Sequence, residues 1–175
     1  MLKRITLAVI AVLASTAVFG AIVLGHTFFN LKSYSVYYAQ HTPHKPGIEP
    51  VLMELTENLF WIYTPDIDGI EYDFDGGNAI YNYNYQKKTT PWLAYFSNQR
   101  YKYGSENLVF YSFDEHFRLS GARDKELGKL DPETVDVEEV KREIYRTVQP
   151  VIDAQYGPLI NLQWLYDWVN KDKFN

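Results

Sequence analysis

The sequence predicts an α+β fold, in which an N-terminal transmembrane helix is followed by an antiparallel β-sheet with helices packed on one face. Three observations lead to this prediction. Residues 5–25 are uncharged, apolar and long enough to cross a bilayer. The middle of the chain alternates apolar and polar residues with the period of β-strands. Apolar residues recur at helical spacing on either side of that region, from about residue 48 and from about residue 140.

The first 29 residues predict where the protein lies. Lys3 and Arg4 stand before the apolar run, and no further lysine or arginine occurs until Lys32. Because positive charges stay on the cytoplasmic side, the N-terminus is predicted to be cytoplasmic. Residues 30–175 then form one extracytoplasmic domain, held at the cell membrane by a single pass of the chain through residues 5–25.

Two interpretations of residues 1–29 are open, an uncleaved anchor and a cleaved signal peptide. The small residues around Val18-Phe19-Gly20 fit a signal cleavage site. The apolar character, however, continues beyond that site into Phe28 and Phe29. A cleaved chain would therefore begin with an exposed apolar tail, which favours the anchor.

The composition of the domain limits its partners. Residues 30–175 hold 15 lysines and arginines against all 22 acids, which gives a net charge of −7. A nucleic acid is a poor partner for this chain, because phosphate binding requires a basic surface. The sequence contains no cysteine, so disulfides and thiolate metal sites are excluded. A basic protein or a cation fits the charge better.

The first part of the domain is predicted to contain one helix followed by a strand. Residues 33–38 alternate weakly and fit either a first strand or a short helix. Apolar residues at helical spacing between Ile48 and Leu59, with Pro50 suited to a first turn, predict a helix over residues 49–58. A strand is predicted over Leu59–Tyr63, ended by Pro65.

The clearest local pattern is a β-hairpin. Residues 70–74 alternate apolar and acidic, residues 75–78 (Asp-Gly-Gly-Asn) are typical of a turn, and residues 79–85 alternate again. One face is expected to be core and the other solvent-exposed. The second strand is predicted to present its residue types on opposite faces, with Tyr81, Tyr83 and Tyr85 on one and Ile80, Asn82 and Asn84 on the other.

Further strands follow the hairpin. They are predicted over residues 92–96, 108–113 and 117–121, with a tight turn at 114–116. Arg100–Tyr103 leads into a turn at Gly104-Ser105. The charged stretch Arg123–Glu133 has no period and is predicted to be a solvated loop.

Two helices are predicted at the C-terminus. Asp136 and Glu139 have the spacing of a capping box. Pro150 is expected to kink or split the first helix near Gln149, and Gly157-Pro158 to end it. Asn161 is expected to cap a last helix with an apolar stripe formed by Leu162, Leu165, Trp168 and Val169.

The candidate binding residues lie in and beside the hairpin. Five acids lie before, in or just after its first strand, and they fit a solvated face, a patch that binds a basic partner, or a calcium site. Calcium needs six to eight oxygens, and the spacing fails for an EF-hand. Large tyrosines suit protein interfaces. The predicted partner-binding residues are therefore Asp66, Asp68, Glu71, Asp73, Asp75, Tyr81, Tyr83 and Tyr85.

No sequence signature indicates an enzyme, a cofactor or a metal. The chain has neither a G-x-S-x-G motif nor a glycine-rich phosphate loop. His41 and His44 lie on a proline-containing loop without a third ligand nearby. A wall-glycan site is disfavoured at the hairpin, because the tyrosines and asparagines of the second strand are predicted on opposite faces.

Three segments carry a family resemblance: the N-terminal MLKRITLAVIAVLASTAVFG, the tyrosine-rich Ser33–Tyr38, and the strand pair LVFYSFDEHFRLSG. Their organisation resembles the TipC family of membrane-anchored immunity proteins of Gram-positive bacteria. The likeness is architectural, so it transfers no functional residue. It implies an extracytoplasmic domain that neutralises a secreted antibacterial toxin by occluding its active site. The alternative is a cell-envelope domain that binds wall glycan or serves as a subunit of a membrane complex.

Overall fold

The computed structural model describes residues 2–75, 77–85, 87–96 and 100–175, and its architecture is α+β as predicted. The helices are α1 (Leu2–Ser33), α2 (Ser35–Ala39), α3 (Pro50–Glu57), α4 (Val137–Asp153) and α5 (Gln163–Asn170). The strands are β1 (Ile70–Asp73), β2 (Asn78–Asn82), β3 (Trp92–Phe96), β4 (Arg100–Gly104), β5 (Val109–Phe113), β6 (Leu119–Asp124) and β7 (Gly128–Leu130).

Helix α1 contains the predicted anchor. Its residues 10–33 are long and apolar enough to cross a membrane, with a mean hydropathy of 1.8, and the apolar stretch is not buried against the rest of the protein. The whole helix is about 48 Å long at 1.5 Å per residue. Helix α2 follows after a turn at Tyr34, so residues 33–38 are helical apart from Tyr34 and form no strand.

The seven strands form one antiparallel meander in chain order, β1 to β7. The predicted hairpin is confirmed as β1 and β2, in which Glu71 faces Tyr81; Gly76 of its turn lies outside the described residues. Alternation along each strand gives the sheet two faces. The inner face carries the core side chains, which include Ile70, Ile80, Leu93, Tyr101, Tyr103 and Phe113.

Helices α3 and α4 pack on this inner face. The Asn82 side-chain amide of β2 donates a 2.7 Å hydrogen bond to the carbonyl oxygen of Thr147 in α4. The Tyr103 hydroxyl lies 3.2 Å from the Thr147 hydroxyl. On the same face, the Tyr101 hydroxyl of β4 donates a hydrogen bond to the Glu57 carboxylate at the end of α3. Side chains of both helices complete the core, notably Leu52, Leu55, Ile144, Val148 and Val151.

A buried ionic network joins α3 to the C-terminus. The Lys173 ammonium lies 2.6 Å from a Glu54 carboxylate oxygen and 2.7 Å from a Glu57 oxygen. Asn58 donates to Glu54 and accepts a 2.9 Å bond from Lys32, the last cation of α1. Burial alone would lower the pKa of Lys173, but the two carboxylates raise it above its ordinary value. The network therefore fixes the end of α1 to the folded domain.

The strand predicted over Leu59–Tyr63 is wrong. These residues turn sharply, because the Asn58 carbonyl accepts from the backbone N–H groups of Trp61 at 2.7 Å and Ile62 at 3.0 Å. Leu59 and Ile62 enter the core, while the Trp61 side chain faces outward. An aromatic and β-branched run favours a strand by propensity, but here tertiary packing outweighs that propensity.

The second hairpin strand is shorter than predicted. Residues 83–85 form a 3₁₀ turn, so Tyr83 and Tyr85 do not continue the face of Tyr81 as strand residues. The Asn82 side chain accepts from the Asn84 N–H at 3.0 Å, and Gly69 accepts from the Tyr83 N–H at 2.8 Å. The Asn82 bond is local and competes with the strand ladder, whereas the Gly69 bond joins the two arms of the hairpin just beyond the last paired residues.

Two strands of the sheet, β4 and β7, were not predicted from the sequence. Arg100–Gly104 forms β4, with Gly104 in the strand rather than in a turn. The predicted loop over Arg123–Glu133 is wrong in part, because β6 extends to Asp124 and Gly128–Leu130 forms β7. The Asp124 carboxylate closes the connection by accepting from the N–H groups of Glu126 and Leu127.

The C-terminal helices are confirmed, with two corrections. Asp136 caps α4 through a 3.0 Å bond from the Glu139 N–H, but α4 is not split at Pro150 and ends at Asp153, before Gly157-Pro158. Asn161 accepts from the Gln163 N–H at the start of α5. The predicted apolar stripe of α5 does not form its buried face: Tyr166 is buried, whereas Trp168 and Val169 are exposed.

Candidate functional site

The outer face of the sheet carries a row of aromatic side chains. Tyr81, Trp92 and Phe110 lie on β2, β3 and β5, and neighbouring ring centroids are 6.4 and 6.5 Å apart. In the described part of the chain, no helix covers this face. The wet face of an antiparallel sheet is ordinarily polar, so a continuous aromatic row there indicates a binding surface. We call this side of the sheet the open face.

Strand β4 lies between β3 and β5 but contributes no side chain to the row. Gly104 is the cross-strand partner of both Trp92 and Phe110. The Trp92 indole lies so close over Gly104 that a Cβ added there would overlap the ring. A glycine at this position therefore allows the indole to lie against the backbone and to bridge β3 and β5.

A groove runs beside the aromatic row. It has a volume of about 770 Å³, with Trp92 and Phe110 among the residues that line it. Its charged side chains are all basic, namely Lys102, Arg123 and Lys125. Lys102 also lies over the Phe96 ring, 4.9 Å from its centroid, which is a cation–π geometry. This end of the open face is thus aromatic and cationic.

The opposite end of the open face is acidic. Glu71 stands across from Tyr81, and the Tyr83 hydroxyl donates to a Glu71 carboxylate oxygen at 3.1 Å. That hydrogen bond is the main reason why the pKa of Tyr83 is raised. Asp73 occupies the same face of β1, and one of its oxygens accepts from the Asp75 N–H at 2.8 Å. The structure therefore brings together Glu71, Asp73, Asp75, Tyr81 and Tyr83 from the predicted set.

The other three predicted residues, Asp66, Asp68 and Tyr85, lie apart from this cluster. Asp66 and Asp68 belong to the loop before β1, and the Asn84 amide donates to the backbone oxygen of Asp68. Asp66 is near the half-buried Tyr72, whose pKa is raised to about 12, mainly by burial. Tyr85 is exposed on the 3₁₀ turn.

The cationic half of the open face was not predicted from the sequence. Lys102, Phe110 and Arg123 lie on β4, β5 and β6, two of which were misassigned or shortened in the prediction. Alternation in Arg100–Gly104 and Leu119–Asp124 is the signal that identifies them. The open face is consequently dipolar, acidic at β1 and basic from β4 to β6.

The polar clusters elsewhere have structural roles. Among the described residues, no three histidines, cysteines or acids are grouped as metal ligands. His116 and Asp114 lie in one hairpin turn, where Asp114 accepts from the backbone N–H groups of His116 and Arg118. Partial burial alone would raise the pKa of Asp114, but the bonds from Arg118 and His116 hold it below its ordinary value. This carboxylate therefore serves to close the turn.

No family model, curated protein or solved structure matches the chain. Its function is consequently inferred from the geometry and charge of its own residues. Two features are available for that inference, namely the apolar helix α1 and the open face of the sheet.

Proposed function

We propose that the protein is a membrane-anchored, extracytoplasmic protein-binding domain that binds its partner across the open face. The observation that carries the proposal is the uncovered aromatic row of Tyr81, Trp92 and Phe110. Buried aromatic anchors surrounded by charged residues supply most of the binding energy in protein interfaces. The row has this arrangement, with Glu71 at one end and Arg123 at the other.

The proposed topology follows from α1 and its flanking charges. The helix supplies one span, and Lys3 and Arg4 favour a cytoplasmic N-terminus. The domain would then lie outside the cell membrane. Lys32 at the end of α1 is hydrogen-bonded to Asn58, so an uncleaved α1 would hold the domain close to the membrane.

The proposed partner is a secreted protein, and the resemblance to TipC-family immunity proteins makes an antibacterial toxin the leading class. An inhibitor of this kind needs only surface complementarity, which the open face can supply. The charges of the open face indicate which charges the partner should carry. A basic patch of the partner would contact Glu71 and Asp73, and an acidic patch would contact Lys102 and Arg123. Such a dipolar match would fix orientation and accelerate association.

A second candidate is binding of wall glycan in the groove. The observation in its favour is the pairing of Trp92 and Phe110 with polar groups in a concavity of about 770 Å³. Aromatic platforms with nearby donors suit sugar rings. Binding of purified peptidoglycan by the full chain, without any protein, would favour this candidate.

The test uses charge reversal on the full-length protein in detergent or lipid nanodiscs. Glu71→Lys with Asp73→Lys, and separately Lys102→Glu with Arg123→Glu, should each weaken capture of the same secreted protein at least about tenfold. Glu133→Lys and Arg146→Glu, which are exposed on the helical side, are the matched controls. Unchanged capture by both double variants would remove the open face as the binding site.

A further inference from the structure

A second exposed apolar surface surrounds the outer end of α1. Its six large side chains come from three segments of the chain and are all exposed, Leu159 completely so. Contiguous exposed apolar surface of this kind marks an interaction site. We call it the juxtamembrane surface, and it consists of Phe28 and Phe29 of α1, Phe60 and Trp61 of the turn after α3, and Leu159 and Ile160 of the loop before α5.

Direct contacts hold the other two segments beside the last turns of α1. The Trp61 ring is 5.7 Å from that of Phe28 and 5.6 Å from that of Phe29, both edge to face. Phe60 packs edge-on against Trp61 at 5.4 Å. On the loop before α5, the Ile160 carbonyl accepts a 3.0 Å bond from the Asn30 amide. Both segments therefore lie beside residues 28–30 of the helix.

That level corresponds to the outer headgroup region. A hydrocarbon core about 30 Å thick takes about 20 helical residues. Counted from Ile5, which follows the two N-terminal cations, these residues end near Leu24. Phe28 and Phe29 are one turn further out, within the interfacial layer where tryptophan and other aromatic residues concentrate in membrane proteins. Trp61 lies at the same depth because its ring contacts both phenylalanines.

The charge of the region also fits a lipid surface. A concavity of about 490 Å³ lies between α1, the turn after α3 and the loop before α5, and none of its lining residues is acidic. The domain as a whole has a net charge of −7. Acids near anionic headgroups would oppose contact with the bilayer, so their absence from this lining permits it.

We infer that the juxtamembrane surface docks the domain onto the outer leaflet, with its aromatic and aliphatic side chains in the headgroup layer. The domain then rests against the bilayer in a fixed orientation instead of pivoting on a single helix. This inference rests on the proposed function in one respect, namely that α1 spans the membrane. A protein partner or a second copy of the chain on this surface would shield it from lipid, which the test distinguishes.

The test measures quenching of tryptophan fluorescence by lipids brominated near the glycerol end of their acyl chains. The full-length protein is reconstituted in vesicles as variants that retain one tryptophan each, the other three being replaced by phenylalanine. The variant that retains Trp61 should lose at least about half of its emission. The matched control retains Trp92, which lies on the open face, and it should lose little.

A third variant separates the inference from the proposed function. It replaces all four tryptophans by phenylalanine and carries Phe19→Trp within α1, so it reports whether the helix is in lipid. Quenching at residue 19 but not at Trp61 would overturn the docking surface and leave the anchor intact. No quenching at residue 19 would remove the anchor and the inference with it.

A charge substitution provides an independent readout. Leu159→Asp, added to the variant that retains Trp61, should reduce the quenching, because a carboxylate is expelled from the headgroup layer. Leu127→Asp is the matched control, since Leu127 is a highly exposed leucine between β6 and β7. Equal quenching in both aspartate variants and in their parent would overturn the role assigned to Leu159.

Discussion

The indole of Trp92 lies against the backbone of Gly104, and a methyl group at residue 104 would occupy the space of the ring. We expect Gly104→Ala to displace the indole and to lower the free energy of unfolding by about 1–3 kcal/mol. Partner capture should fall as well, because the aromatic row is interrupted at its centre. Chemical denaturation measures the loss of stability, and the emission wavelength of a variant that retains only Trp92 reports the displacement of the indole. The capture assay measures partner binding.

Gly121→Ala is the control for that substitution. Gly121 lines the same groove, but an added Cβ there meets no atom within 4 Å. Its effect on the free energy of unfolding should stay within about 0.5 kcal/mol. Equal destabilisation by the two substitutions would show that crowding of Trp92 is not the cause.

Lys173→Met should destabilise the fold strongly. It removes the cation between Glu54 and Glu57, and Glu54 is nearly inaccessible to solvent. Uncompensated buried carboxylates cost about 3 kcal/mol or more. Urea denaturation of Lys173→Met against Lys171→Met, an exposed lysine at the end of α5, measures the difference. A similar loss in both variants would contradict a special role for the network.

Asn82→Ala should loosen the contact between the sheet and α4. The Asn82 amide is buried and donates to the Thr147 carbonyl, so its loss should lower the free energy of unfolding by about 1–3 kcal/mol. Asn84→Ala removes an exposed amide two residues later and should cost less. Thermal unfolding of both variants makes the comparison, and a larger effect at residue 84 would contradict the assignment.

Stability should fall as the pH rises above about 10. Tyr101 and Tyr145 have raised pKa values, chiefly because burial opposes their ionisation, and the carboxylates beside Lys173 raise its pKa also. The folded chain therefore keeps protons that the unfolded chain releases. Each group lowers the free energy of unfolding by at most about 1.4 kcal/mol per pH unit over this range.

Denaturation at a series of alkaline pH values measures this slope. Tyr145→Phe removes one of the titrating groups without adding a charge, so it should make the slope shallower. A free energy of unfolding that is constant between pH 9 and the alkaline transition would contradict the linkage. An unchanged slope in Tyr145→Phe would exclude that tyrosine from it.

The elements predicted correctly from the sequence are those whose conformation is set by neighbouring residues in the chain. The alternation around the turn at residues 75–78 identified β1 and β2, and the Asp136 cap identified the start of α4. The strand predicted over residues 59–63 was wrong, because the conformation of these residues depends on tertiary contacts. Leu59 and Ile62 pack into the core, and this packing is not visible in the local pattern. An aromatic run alone does not distinguish a strand from a packed turn.

The candidate site was predictable only on its acidic side. Glu71 and Tyr81 belong to one hairpin, so their pairing follows from the turn. Trp92, Gly104 and Phe110 meet through the register of three strands, which no single segment specifies. The sequence therefore indicated an acidic patch, whereas the assembled sheet has an aromatic row with charges of opposite sign at its ends.

The most direct test of the central claim places a photo-crosslinking residue at Phe110, on the open face, in the full-length protein in native membranes. The matched position is Gln149, exposed on α4 behind the sheet. We expect position 110 to form one discrete adduct with an extracytoplasmic or secreted protein, and position 149 to form none. An adduct from position 149 alone, or the same adducts from both positions, would contradict binding through the open face.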